Sequence, residues 1–173
     1  MTKSYILIAS LVVMMSSIGF AQSDKVKEAK DDLIMRTSSS ADDPLKSITI
    51  HQQIDFNASP QQLYEALLGA KQFTEFSGRP AEINREVGGA FSLFKGHIIG
   101  RNVEFVLNQK IVQAWRVVTW PEGAYSIVRF ELKPQGSGTR LVLDHIGFPE
   151  GLHDHLAQGW EENYWSLLKK YLH

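Results

Sequence analysis

The final stretch of the chain, Gly151 to His173, leaves the fewest options for the fold. From Leu156 onward apolar residues recur three and four apart: Leu156, Trp160, Tyr164, Leu167, Leu168, Tyr171 and Leu172. This is the period of an amphipathic α-helix. The other face carries Gln158, Glu161, Glu162, Lys169 and Lys170, with acids ahead of bases, as the helix dipole prefers. A helix of about 20 residues is roughly 30 Å long. Such a stripe is not stable in water alone, so it has to lie on an apolar surface. Burying its large side chains contributes on the order of 10 kcal/mol, an upper bound because unfolded chains are already partly collapsed.

The preceding sequence supplies that surface as β-strands. Ser47 to Phe56 alternates Ile48, Ile50, Gln52, Ile54 and Phe56 with Thr49, His51, Gln53 and Asp55, the pattern of a half-buried strand. Ser59-Pro60 with Gln62 reads as the cap and first turn of a short helix on Leu63, Ala66 and Leu67, ended by Gly69. A second short helix, about Lys71 to Phe76, and a short strand at Ala81 to Arg85 follow. Strands are then expected at Ala90–Phe94, His97–Val106, Lys110–Trp120, Ala124–Leu132 and Thr139–Ile146. Short turns rich in Gly, Pro or Asn separate them, which makes neighbours antiparallel. The last two break at Pro134 to Gly138 and at Pro149-Glu150-Gly151. The expected class is α+β: a curved antiparallel sheet around a long C-terminal helix, with two short helices after the first strand. The folded domain is placed at residues 47–173.

Met1 to Ala21 has the form of a signal peptide. Lys3 gives the positive start, Ile6 to Met15 the apolar run, and Gly19-Phe20-Ala21 the small residues at a cleavage site. Ser10, Ser16 and Ser17 interrupt a run already short for a membrane span. Export to the periplasm or beyond is expected, with cleavage after Ala21 and no membrane span afterwards. Residues 22–46 are polar and charged around a lone Leu33-Ile34-Met35 cluster and read as a flexible leader. A formal net charge of −1 gives no field that would draw nucleic acid. The absence of cysteine excludes disulfides, thiol nucleophiles and cysteine metal sites.

No nucleophile elbow, zinc-protease helix, phosphate loop or dinucleotide fingerprint is present, so no catalytic residue, cofactor or metal is expected. His153-Asp154-His155 is the densest cluster of metal-ligand types. Residues two apart on a helix diverge, so it is read as an exposed helix start. A concavity between sheet and helix is the natural small-molecule site. Alternation puts Ser126, Val128, Phe130 and Leu132 on one inward row, and Leu141, Leu143 and His145 on another. Trp115 joins Ile111 and Val117, although Val112, Ala114 and Val118 make an equally apolar row on the opposite face. The cavity-lining candidates are thus Trp115, Val128, Phe130, Leu143, His145, Trp160 and Tyr164. His145 is either a bonded core histidine or the group that orients a ligand's polar end. Arg101 and Arg116 are read as surface groups.

Several segments carry a family resemblance. They are Ser59-Pro60-Gln61-Gln62-Leu63-Tyr64, Gly88-Gly89-Ala90-Phe91-Ser92-Leu93-Phe94, Gly96-His97-Ile98-Ile99-Gly100 and Ile111-Val112-Gln113-Ala114-Trp115-Arg116. Trp120-Pro121-Glu122-Gly123, Gly138-Thr139-Arg140-Leu141, His145-Ile146-Gly147 and Gly159-Trp160 complete the set. In this order, over Ser47 to His173, the chain resembles the START-like, helix-grip superfamily also called SRPBCC. Within it, the chain is similar to homologues of the C-terminal domain of the activator of the ninety-kilodalton heat-shock protein ATPase. The resemblance implies a ligand-binding or chaperone-associated module and supplies no catalytic motif. The eukaryotic co-chaperones carry a separate N-terminal domain that the leader is too short to replace, and an exported chain does not meet a cytosolic chaperone.

The reading is therefore an exported, monomeric, non-catalytic binder of a small apolar or amphipathic molecule. Two alternatives stay open: a polyketide cyclase or hydrolase-like enzyme using the same cavity, with His145 as the acid–base candidate, or a stress-related module with a protein partner. For export, N-terminal sequencing of secreted material is expected to begin at Gln22. Recovery of Met1 would show that residues 1–21 are retained.

Overall fold

The structure, a computed structural model, describes residues 48–173. The signal peptide expected at 1–21 and the leader at 22–46 lie outside the described residues. Within them the elements are β1 (Thr49–Phe56), α1 (Pro60–Leu68), α2 (Ala70–Ser77), β2 (Glu82–Ile83), β3 (Ala90–Leu93) and β4 (Ile98–Val106). Then come β5 (Lys110–Val117), β6 (Ser126–Gln135), β7 (Gly138–Ile146) and a final helix in three parts. The seven strands form one antiparallel sheet in the order β1-β7-β6-β5-β4-β3-β2. β2 to β7 are a meander, and β1 closes the far edge beside β7. This is the α+β helix-grip architecture that the hydrophobic pattern implied.

Local chemistry sets the element ends. The Ser59 side chain accepts from the Gln62 amide, and the Gln62 side chain reaches back to the Ser59 amide, a full capping box ahead of Pro60. Gly100 lets the Phe91 ring cross β4, because a Cβ there would collide with that ring and with the Ala114 carbonyl. Two expected strand ends shift most, each by three residues. β5 stops at Val117, where Trp120 N bonds Val117 O at 3.0 Å and turns the chain away from the sheet. β6 runs on to Gln135 with Pro134 inside it, paired with Thr139. Its last β5 partner is at Glu131, so Pro134 lies where one side of the strand is free.

The inner rows are resolved. Ile111, Trp115 and Val117 face the helix, and Val112 and Ala114 do not share their burial. Ser126, Val128, Phe130 and Leu132 lie beside them, with Leu141, Leu143 and His145 on β7.

The final helix departs from the simple stripe. It runs as α3 (His153–Trp160), a π-helical turn (Glu161–Trp165) and α4 (Ser166–Tyr171). Ser166 N bonds Glu161 O, the five-residue reach of a π-turn. That extra residue brings Trp165 round onto the face of Trp160, and the two indoles stack at 5.5 Å and 14°. Trp165 is 1% exposed, and its N–H donates to Gln52 Oε1 on β1 at 2.7 Å. An unbroken α-period leaves Trp165 off the buried stripe and Tyr171 on it. In fact Tyr171 is 37% exposed and bonds Glu75 through its hydroxyl at 2.8 Å.

His145 is wholly buried and bonded on both ring nitrogens. Trp160 Nε1 donates to Nδ1 at 3.1 Å, so Nδ1 is the acceptor and the proton sits on Nε2. Nε2 then donates to Ser126 Oγ at 2.7 Å, and Ser126 Oγ donates to the Trp115 carbonyl at 3.1 Å. Helix, β7, β6 and β5 are tied by one chain of satisfied bonds. Burial pushes the His145 imidazole down to about 3.

Two outcomes are expected. Trp165→Ala should cost about 3–5 kcal/mol, the range for a buried aromatic, against the ±0.5 typical of a surface position; denaturant unfolding separates the two. The unfolded chain takes up a proton at His145 near its ordinary value, while the folded state refuses it until about 3. Stability is therefore present above the ordinary histidine range and falls as the pH drops toward 3, by about 1.4 kcal/mol per pH unit. Melting scans between neutral pH and the carboxylate range should be flatter for His145→Gln. An equally steep profile would place the effect elsewhere.

Candidate functional site

The sheet and the final helix are packed tightly at the π-turn and part toward the amino end of α3. There they enclose a cavity of about 660 Å³. Helix residues Leu156, Gly159, Trp160 and Tyr164 form one wall at helical spacing, and Ile98, Trp115 and Val117 form the sheet wall. The loop after β5 folds over as a third wall. Trp120 meets Trp115 edge-on at 5.9 Å and is only 7% exposed. Arg116 holds that loop, with Nη2 donating to the Trp120 carbonyl at 2.7 Å. Arg116 is therefore half-buried and structural rather than a plain surface group. Arg101 is exposed and bonds the Gly88 carbonyl at 2.8 Å.

Phe94 supplies the floor from an uncommon backbone. Its φ is 52°, in the left-handed region, and Lys95 and Gly96 follow at 59° and 84°. Such a conformation costs a bulky residue of order 1–2 kcal/mol. Packing holds it there: the Phe94 ring lies 5.2 Å from Phe73 and 5.4 Å from Tyr164. The Arg79 guanidinium sits over its other side at 5.6 Å. The turn read in the sequence at Lys95-Gly96 gave no sign that it aims an aromatic ring into the space.

Of the seven residues expected to line the cavity, Trp115, Trp160 and Tyr164 do. Val128, Phe130, Leu143 and His145 do not; they are at most 2% exposed and lie beneath the helix. The reason is the π-turn. Trp160 and Trp165 fill the gap above those rows, with Phe130 edge-on to both at 5.7 and 6.5 Å. The open space is displaced to the β4–β5 end. Phe94, Trp120, Gly159 and Arg79 are among the lining residues that alternation did not single out. Those from turns follow no period, and a glycine carries no hydrophobic signal.

The cavity grades from apolar to charged. Among the aromatic walls Trp115 and Tyr164 carry polar atoms, and Thr119, Gln158 and Asn163 line the space as well. Burial raises the Tyr164 phenol, which stays neutral. Arg79, Glu150 and Glu162 also line the cavity, so it carries charges of both signs. His153 bonds its neighbour Asp154 at 2.9 Å, and among the described residues no group of three or more His, Asp or Glu is placed to hold an ion. Nor is any described helix long and apolar enough to cross a membrane.

Comparison with known proteins agrees with the geometry. The mouse activator of 90 kDa heat shock protein ATPase homolog 2 is 31% identical over 125 residues, covering 72% of this chain and 38% of the mouse protein. The chain thus spans well under half the length of the curated relatives it matches. An HSP90 activator from Plasmodium falciparum has a solved structure with TM-score 0.69 and 30% identity, covering 72% of this chain and 96% of that one. CalU16 from Micromonospora echinospora, at TM-score 0.63 and 20% identity over 72% of this chain and 75% of its own, shares the fold. Residues 57–173 match the family described as Activator of Hsp90 ATPase homolog 1-like protein. A match that starts just after β1 and runs through the cavity walls to the end of the final helix establishes that the chain belongs to this family.

Proposed function

We propose that the protein is an exported, non-catalytic binder of a small hydrophobic or amphipathic molecule, held between the sheet and the amino half of the final helix. The cavity carries this reading. Its volume of about 660 Å³ falls within the roughly 300–1,000 Å³ of small-molecule sites, and its inner walls are aromatic and aliphatic. His145, the acid–base candidate for an enzyme, has both nitrogens committed to Ser126 and Trp160 and does not line the space. The apolar run before Gly19-Phe20-Ala21 supports export.

The relatives' names favour a second reading, contact with a heat-shock ATPase or another protein. Retention of a partner on immobilised protein, lost on surface substitution and indifferent to filling the cavity, is the result that reading requires.

Gly159 makes the ligand reading testable without disturbing the core. It lines the cavity between Leu156 and Trp160, and a Cβ added there meets nothing nearer than Asn163 Nδ2 at 4.0 Å. Gly159→Leu should fill the space while adding helix propensity. With the neutral probe N-phenylnaphthylamine, saturable fluorescence enhancement is expected in the unsubstituted protein. It should weaken at least about tenfold in Gly159→Leu, a difference of about 1.4 kcal/mol, with the melting temperature unchanged or raised. Equal binding by both proteins would put the probe elsewhere and remove the cavity from the function.

A further inference from the structure

Three indoles stack across the gap between helix and sheet: Trp115 on Trp160 at 5.6 Å and Trp160 on Trp165 at 5.5 Å. The sheet provides an acceptor for two of their N–H groups, His145 Nδ1 for Trp160 and Gln52 Oε1 for Trp165. The third receives none. Trp115 is 3% exposed, and its Nε1 is sealed from bulk water with no hydrogen-bond partner. A buried donor left so carries a penalty of roughly 1–3 kcal/mol and calls for an explanation.

Tyr164 gives one. Tyr164 lines the cavity, and its hydroxyl has no hydrogen-bond partner among the described residues. Trp115 and Tyr164 line the same cavity and both pack on the Trp160 ring, at 5.6 and 4.4 Å, with no hydrogen bond yet joining the Trp115 N–H to the phenol. If the phenol oxygen accepts from Trp115, its own proton has to find an acceptor, and the cavity is the free direction. A phenol that accepts one bond is polarised into a stronger donor for the next.

We propose that the cavity selects a neutral, flat molecule carrying a carbonyl-type oxygen, which accepts from the Tyr164 hydroxyl while Trp115 N–H backs the phenol oxygen. The proposal rests on the ligand reading above and sharpens it. Flatness follows from the faces of Trp115, Trp120, Phe94 and Tyr164, which favour stacked or edge-on rings. Neutrality follows from the surroundings of the two donors, which among the described residues make no ion-pair or cation contact; Arg79 is exposed and engaged over Phe94. A carboxylate placed that deep would lose its hydration without gaining a counter-charge. A carbonyl-type oxygen accepts from the phenol without bringing a donor of its own. Trp115 is on this account a positioning residue, and Tyr164 the group that touches the ligand.

The test uses two probes that differ by one atom group, acetylnaphthalene and isopropenylnaphthalene, titrated calorimetrically into the unsubstituted protein, Tyr164→Phe and Trp115→Phe. Tyr164→Phe keeps the ring and removes the hydroxyl, and melting scans check that each variant folds. The ketone should lose roughly fivefold to tenfold in affinity in Tyr164→Phe and a smaller factor in Trp115→Phe. The hydrocarbon should change by less than about twofold in Tyr164→Phe, where only the hydroxyl bond is removed. If both probes bind and Tyr164→Phe leaves the ketone unaffected, the carbonyl assignment falls and the cavity remains a binding site. If neither probe binds the unsubstituted protein, the ligand reading falls and takes this assignment with it. If Trp115→Phe is unfolded, the Tyr164→Phe comparison alone decides.

Discussion

Trp160 joins the final helix to the sheet. Its ring is stacked between Trp115 and Trp165, its edge meets Phe130, and its N–H is held by His145. Stacking supplies area and the hydrogen bond supplies register, because an indole that slid along the sheet would leave a buried imidazole nitrogen unpaired. The helix is thereby fixed in rotation as well as in position. The cavity depends on that fixing: its helix wall is the same face of the same helix, one turn either side of Trp160.

Much of this was legible in the sequence. Although the pairing of β1 with β7 carries no local signal, the meander of successive antiparallel strands, both short helices and the Ser59 cap follow from period, turn residues and capping chemistry. These are local signals, and the sheet adds packing without overruling them. The inward rows through Val128 and Leu143 were equally plain. The site was less so, for three physical reasons. A π-turn changes the helix phase without changing composition, so Trp165 is hidden from a reading at 3.6 residues per turn. Phe94 owes its aim to a left-handed backbone that no propensity favours. Trp115 lies in a strand where both rows are apolar, and only the sheet's neighbours decide which side is inside.

The core histidine shows how a functional-looking residue becomes structural. A lone His on an apolar row has two explanations, and the difference lies in whether both nitrogens are occupied by protein. Here Ser126 and Trp160 occupy them, residues from β6 and from the helix that no spacing rule connects to β7. The unsatisfied polar group among the cavity's walls sits instead on Trp115, a residue type usually counted only for its area.

The π-turn has one more consequence. It works as a phase break that divides the final helix into segments answering to different demands. Upstream of it, Leu156, Gly159 and Trp160 shape empty space. At its end and beyond, Trp165 and Leu168 are sealed against the rest of the core. Substitutions ahead of the break can retune what the protein admits while the break insulates the lower packing. In a chain of this kind, recognition and foldedness can drift apart along a single helix, and diversification within the fold has a ready-made seam.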